Sequence, residues 1–223
     1  MSTLKPQHVT EQSTLDSSQR PTRCPSAYEM RPLRTDDERA KASALVENRL
    51  RWLAVRGLPV PSQVDIPALY RDTRYEAAGL FEDEVLLACL TLDRQPHLEH
   101  WGTDGTGPAL FLGHVHTLPA RPDNVVRLIT LWASDYAARL GLPCLRAEAV
   151  ARHGLSVDPI ARFLDQLKGM GWSVRGAGKG AGGEWVARLE LPADSRPGLA
   201  ALIGCAVPLP REPVRSSSRR SRS

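Results

Sequence analysis

The stretch that decides the fold reads ALFLGHVHTL (109–118), PARPD (119–123), NVVRLITLWASDYAARL (124–140) and GLPCLRAEAV (141–150). The first piece is an apolar run of strand length. The second supplies a turn, with Asp123 after Pro122 as a helix N-cap. In the third, Val125, Leu128, Ile129, Trp132, Tyr136 and Leu140 recur at helical spacing and give one continuous apolar face. Gly141 ends that helix, Pro143 prevents its continuation, and CLRAEAV resumes as a strand. Strand, helix, strand is a βαβ unit, and the helix start beside the end of the first strand is where such units receive anions.

Upstream, residues 1–27 are rich in Ser, Thr, Gln and Pro, a composition that cannot offset the entropy of ordering, so this segment is read as disordered. YEMRPL (28–33) alternates as a first strand. Thr35-Asp36-Asp37-Glu38 is a capping box opening a helix that should run to about Arg56, stop at Gly57 and bury Ala42, Leu45, Leu50, Trp52 and Leu53. A short helix is expected near Ile66–Asp72, then a hairpin of Ala77–Phe81 and Val85–Leu92, then a loop from Asp93 to Pro108. Downstream of 150, Asp158 and Pro159 open a helix whose buried face holds Ile160, Phe163, Leu164, Leu167 and Met170. WSVRG and EWVARLEL read as strands about a GAGKGAGG loop. From 193 onward Pro, Ser and Arg dominate, and the tail to 223 is read as disordered apart from a short apolar segment at Leu199–Val207.

With 223 residues and 42% hydrophobic content, the chain suits one domain, placed at 28–192. No apolar run is long enough to span a bilayer, which makes the cytoplasm the default compartment and excludes a membrane partner. Cys24, Cys89, Cys144 and Cys205 form no CxxC pair, which argues against a disulfide framework or structural zinc; Cys89 and Cys144 read as buried. The segment 211–223 carries five arginines against Glu212 and so accounts for the whole formal charge of +4. A neutral body with a basic tail does not describe a nucleic-acid-binding domain.

The order of elements is that of a mixed sheet with one parallel crossover and helices on both faces, not of a doubly wound sheet. It resembles the GNAT superfamily of acyl-CoA-dependent N-acetyltransferases. NRLRWLAVRG, LACLTLDRQPHLEHW, ALFLGHVHTL, LWASDYAARLGLPCLRAEAV and FLDQLKGMGW each resemble strings of one branch of that superfamily, over roughly Tyr28–Leu191. The resemblance implies a single-domain α/β fold of GNAT type, acetyl-CoA as co-substrate, no metal, and a small-molecule or peptide amine as acceptor, with a homodimer left open. Backbone amides around Thr117 and Leu118 would hold the pantetheine arm, and the helix start at Asn124, Val125, Val126 and Arg127 would meet the pyrophosphate. Two departures stand out. The run Arg121–Arg127 lacks the glycines of the family loop, so Val125 and Val126 would bring β-branched side chains to the phosphates. Leu167 stands where the family carries a Tyr general acid. A non-catalytic ligand-binding module on the same fold is therefore the rival reading.

Candidate site residues follow. Glu148 and Arg146 share a strand face; Glu148 either deprotonates an amine through water or simply pairs with Arg146. Alternation also puts His114 and His116 on one face, and an imidazole at His116 suits a general base. His97 and His100 precede that strand, but their spacing is not diagnostic of zinc. Trp101, beside the GTDGTG turn, is expected to face the substrate, whereas the other tryptophans are expected in the core. GAGKGAGG lacks the Ser or Thr and the following helix of a phosphate loop and reads as a mobile hairpin loop.

Overall fold

The computed structural model describes residues 26–62, 64–119, 124–151 and 160–209. The capping box forms as the sequence demands: the Glu38 amide donates to Thr35 Oγ1 at 3.2 Å, and the Thr35 amide donates to Glu38 Oε2 at 3.1 Å. It starts α1 (Asp36–Val55), which packs with α2 (Ile66–Arg71) on one face of the sheet through Ala42, Leu45, Val46, Ile66 and Tyr70. Leu50, Trp52 and Leu53 are only half-buried, so the deep face of α1 lies nearer its N-terminus than the sequence pattern suggests. On the opposite face, α3 (Asn124–Arg139) and α4 (Ala161–Gly169) bury Leu128, Ile129, Trp132, Tyr136, Leu164 and Leu167. Phe163, expected in that core, is 39% exposed. The caps Asp123 and Asp158 lie outside the described residues.

The strands are β1 (Tyr28–Pro32), β2 (Ala77–Glu82), β3 (Val85–Asp93), β4 (Leu110–Thr117), β5 (Cys144–Val150), β6 (Ser173–Lys179), β7 (Trp185–Pro192) and β8 (Ile203–Cys205). They form one sheet in the order β6-β7-β5-β4-β3-β2-β1-β8. Three sequence expectations are corrected. β8 pairs in parallel with β1, so the folded body continues past the boundary set at 192. β6 extends through Gly178 to Lys179, paired with Trp185, so the first half of the expected glycine loop is strand and the turn is only 180–184. Inside the expected 93–108 loop, Glu99–Gly105 forms two short 3-10 turns joined by a kink at Gly102.

Two irregularities shape the middle of the sheet. β4 and β5 are parallel and paired only at Leu110–Leu145, Phe111–Arg146 and Leu112–Ala147; beyond these rungs neither has a partner across the gap, although β4 runs on to Thr117 and β5 to Val150. The second lies between β3 and β4. Cys89 pairs with His116 and Thr91 with Gly113, so His114 and Val115 stand together opposite Leu90 as a bulge. His114 takes φ of 48°, and Tyr70 on α2 fixes the bulge by donating its hydroxyl to the His114 carbonyl at 2.6 Å.

Candidate functional site

The site is the opening between β4 and β5. From β5, Arg146 and Glu148 project on the α1 face, but they do not pair with each other. Arg146, only 6% exposed, donates to Glu190 Oε2 at 3.1 Å and to the carbonyls of Gly105 and Thr106 at 2.9 Å. It thereby pins the 3-10 segment onto the sheet, where that segment presents His100 and Trp101 to Glu148. Trp101 Nε1 donates to Glu148 Oε1 at 2.7 Å, and His100 Nε2 lies 2.6 Å from the same oxygen. Arg188 on β7 in turn donates to the His100 carbonyl.

Trp101 is 3% exposed, so the expected substrate-facing ring is instead a buried group that orients Glu148. An indole N–H that is buried takes a partner, and the carboxylate supplies one. No group of three or more His, Cys, Asp or Glu side chains among the described residues is arranged to hold a metal ion.

The glycines of β6 and its turn explain how this cluster closes. A Cβ at Gly178 would stand 2.5 Å from Arg188 Nη2, so a bare backbone is what lets that guanidinium cross the strand. A Cβ at Gly180 would stand 3.2 Å from Glu184 Oε1 and 3.3 Å from Glu148 Oε2. Two carboxylates therefore converge on one bare spot. Glu184, which the sequence reading missed, has its Oε2 buried and without a hydrogen-bond partner among the described residues. It also lines a cavity of about 410 Å³ with Leu58, Pro59, Val60, Val150 and Ala151. A buried carboxylate oxygen with no partner among the described residues, beside a cavity lined by both polar and apolar groups, suits a cationic group.

The two histidines of β4 differ. Burial pushes the His114 imidazole below the usual 6.5, while Glu184 and Glu148 pull it back upward. His116 pairs with Cys89, whose thiol reaches the Ala42 carbonyl, and so it faces α1. Burial, then the charges of His114 and Arg49, push it down to about 3. Such an imidazole is neutral but a weak base, and it is His114 that shares the field of the two carboxylates. The bulge sets His114 between the paired residues Gly113 and His116 with φ of 48°.

The residues expected to hold coenzyme also separate. Leu118 N donates to Leu87 O at 2.9 Å, so its amide is already committed to β3. Alternation along the strand then turns the Thr117 amide toward the opening. Val125 is 5% exposed and belongs to the core, which removes its side chain from any phosphate approach; Val126 is half-buried, and Asn124 and Arg127 are exposed. The segment 120–123, with Arg121, lies outside the described residues. Leu167 is buried within the core, so no hydroxyl stands there.

No helix among the described residues is long and apolar enough to cross a membrane. No protein-family model and no curated protein matches the sequence. Solved structures do resemble it. A GNAT-family acetyltransferase from Listeria monocytogenes 4b is 16% identical with a TM-score of 0.53, over 74% of this chain and 95% of that one. The ribosomal-protein-S18-alanine N-acetyltransferase from Escherichia coli is 14% identical with a TM-score of 0.50, over 76% of this chain and 96% of that one. Likeness at these identities is likeness of backbone: the fold of this chain is that of the GNAT-family N-acetyltransferases.

Proposed function

We propose that the protein transfers an acetyl group from acetyl-CoA to an amine carried on a small, partly apolar molecule or peptide. The observation that carries this reading is the convergence of Glu148 and Glu184 at the parted strands, in whose field His114 lies, with the Glu184 Oε2 buried and without a partner among the described residues. Glu184 and Glu148 attract the ammonium form of the acceptor and hold it at the opening. His114, kept neutral by burial, takes the proton and leaves the amine free to attack the thioester carbon. His114 passes this first proton to solvent; as the C–N bond forms and the C–S bond breaks, it takes the second proton that the acylated nitrogen sheds, and the two carboxylates balance the imidazolium while it lasts. The proton then passes to the departing thiolate, whose pKa is near the cysteine value of about 8.5, so a separate hydroxyl acid at the Leu167 position is not required. Glu148 does not act as a free base here; held by His100 and Trp101, it supplies fixed charge. The Thr117 amide and the start of α3 are the groups placed to meet the coenzyme.

The test is thiol release from acetyl-CoA by the purified chain against a panel of primary amines, including amino-acid amides, polyamines and short peptides. Turnover with at least one amine, lost in His114→Gln, supports the reading. Absence of coenzyme binding by calorimetry at millimolar acetyl-CoA would overturn it in favour of a binding module.

A further inference from the structure

A second feature sits outside that cluster, on the C-terminal half of α1. Arg49, Trp52 and Arg56 follow one another at spacings of three and four, so they form a single stripe along the helix. The Arg49 guanidinium carbon lies 4.4 Å from the Trp52 ring centroid and that of Arg56 lies 3.9 Å from it, so one indole holds both cations. Arg51, half a turn away, is steadied by Asn48 at 3.0 Å. With Leu118 and Pro119 at the end of β4, Asn48, Arg51, Trp52 and Arg56 line an open cavity of about 580 Å³.

The electrostatics of this stripe are unbalanced. The ion pairs of α1 among the described residues are Glu38 with Arg31, Lys41 with Asp37 and Glu47 with Arg71; none involves a residue between 48 and 56. Burial and the neighbouring Arg56 charge both disfavour the Arg49 cation. The helix C-terminus favours a cation at Arg56, worth about 0.3–1 kcal/mol, but that effect fades within one turn and does not reach Arg49. Two guanidiniums gathered on one ring, a third beside them, and no carboxylate paired with any of the three among the described residues make a cation cluster.

We infer that this stripe is a binding site for a phosphate-bearing ligand. The forked N–H groups of several arginines match a multiply charged oxyanion better than they match a single carboxylate. Trp52 has both neighbours stacked on it, so it organises the clamp and is not itself the recognition surface. The cavity adjoins Leu118 and Pro119, the last described residues before α3, and Arg49 lies near enough to His116 to depress its pKa. The clamp therefore borders the opening between β4 and β5. Two sources carry this chemistry. One is the phosphates of acyl-CoA, in which case the inference rests on the acetyl-transfer reading and α1 supplies what the glycine-free start of α3 does not. The other is a phosphate group on the acceptor.

The experiment uses the full chain and the double variant Arg51→Glu/Arg56→Glu, both sites being exposed, with circular dichroism confirming that each folds. Calorimetry is run with inorganic pyrophosphate, with coenzyme A and with 3′-dephospho-coenzyme A. Pyrophosphate binding should weaken by about tenfold or more in the double variant and should fall with added salt. Coenzyme A weakened in parallel assigns the clamp to the coenzyme; coenzyme A unchanged while pyrophosphate weakens assigns it to the acceptor. Pyrophosphate that fails to bind the wild type, or binds both proteins equally, overturns the inference. If coenzyme A binds neither protein, the acetyl-transfer reading fails on its own, and the pyrophosphate comparison still decides this one.

Discussion

The burial of His116 makes the fold acid-sensitive in a way that one substitution isolates. Its folded pKa of about 3 stands against an ordinary value of 6.5. Between those values the unfolded chain binds a proton there and the folded chain does not, so stability rises with pH across that window. The contribution is complete above pH 6.5 and is lost as pH falls toward the folded pKa. At pH 5 the group has crossed about 1.5 pH units of the window, which at about 1.4 kcal/mol per unit costs about 2 kcal/mol relative to pH 7.5. For a domain of this size that corresponds to about 4–8 °C in Tm. Other groups titrate over the same range, so the assay compares wild type with His116→Gln by thermal unfolding at pH 7.5 and pH 5. The variant should be less acid-sensitive by about that amount, whatever its stability at pH 7.5. Equal acid sensitivity in the two proteins would mean that His116 is not held neutral by burial. The contrast drawn between His116 and His114 would then collapse.

Trp101→Phe keeps the ring and deletes the donor to Glu148, so it should cost about 1–2 kcal/mol, read as a lower urea midpoint. Combined with Glu148→Gln the two losses should be less than additive, and full additivity would refute the coupling. Gly180→Ala needs no left-handed backbone, but its Cβ would press on Glu148, Glu184 and Val186 at 3.1–3.3 Å. It should lower kcat for thiol release about tenfold with little change in Tm, because small displacements of aligned groups are costly. His114→Gln should reduce kcat by about 10²–10⁴ and abolish the acidic limb of the pH profile, which in wild type rises through a pKa below 6.5 because the neutral imidazole is the base. A variant with wild-type kcat and the same limb would remove His114 from the chemistry.

The elements readable from sequence were those whose cause is local. Thr35 and Glu38 satisfy each other within one turn, and the apolar stripe of α3 repeats every three or four residues, so neither depends on distant chain. What distinguishes the site is non-local. The bulge at His114 exists only in register with β3, and alternation along β4 alone does not reveal it. Trp101 looked like a substrate-facing ring because nothing in its neighbourhood reveals that Arg146, more than forty residues on, fastens its segment to the sheet. Glu184 carried no motif at all. It acquires meaning through Glu148, which reaches it across the β5–β7 pairing.

One signal for that convergence was nevertheless present in the sequence. Read as a loop, GAGKGAGG says only that the chain is pliable. Gly178 near the end of the strand and Gly180 at the start of the turn stand two apart, and backbone stripped of Cβ atoms has a use only if something lies against it. Arg188 lies over Gly178, and Glu148 and Glu184 lie over Gly180. Flexibility and close approach make opposite demands on the same residues. In a loop alanine at either position would touch nothing, whereas here the added carbon at Gly178 would displace the guanidinium that holds His100 and at Gly180 would press on both carboxylates. Alternating glycine in a strand beside a short turn therefore marks where charged side chains cross the sheet, and here it marks the edge of the candidate active site.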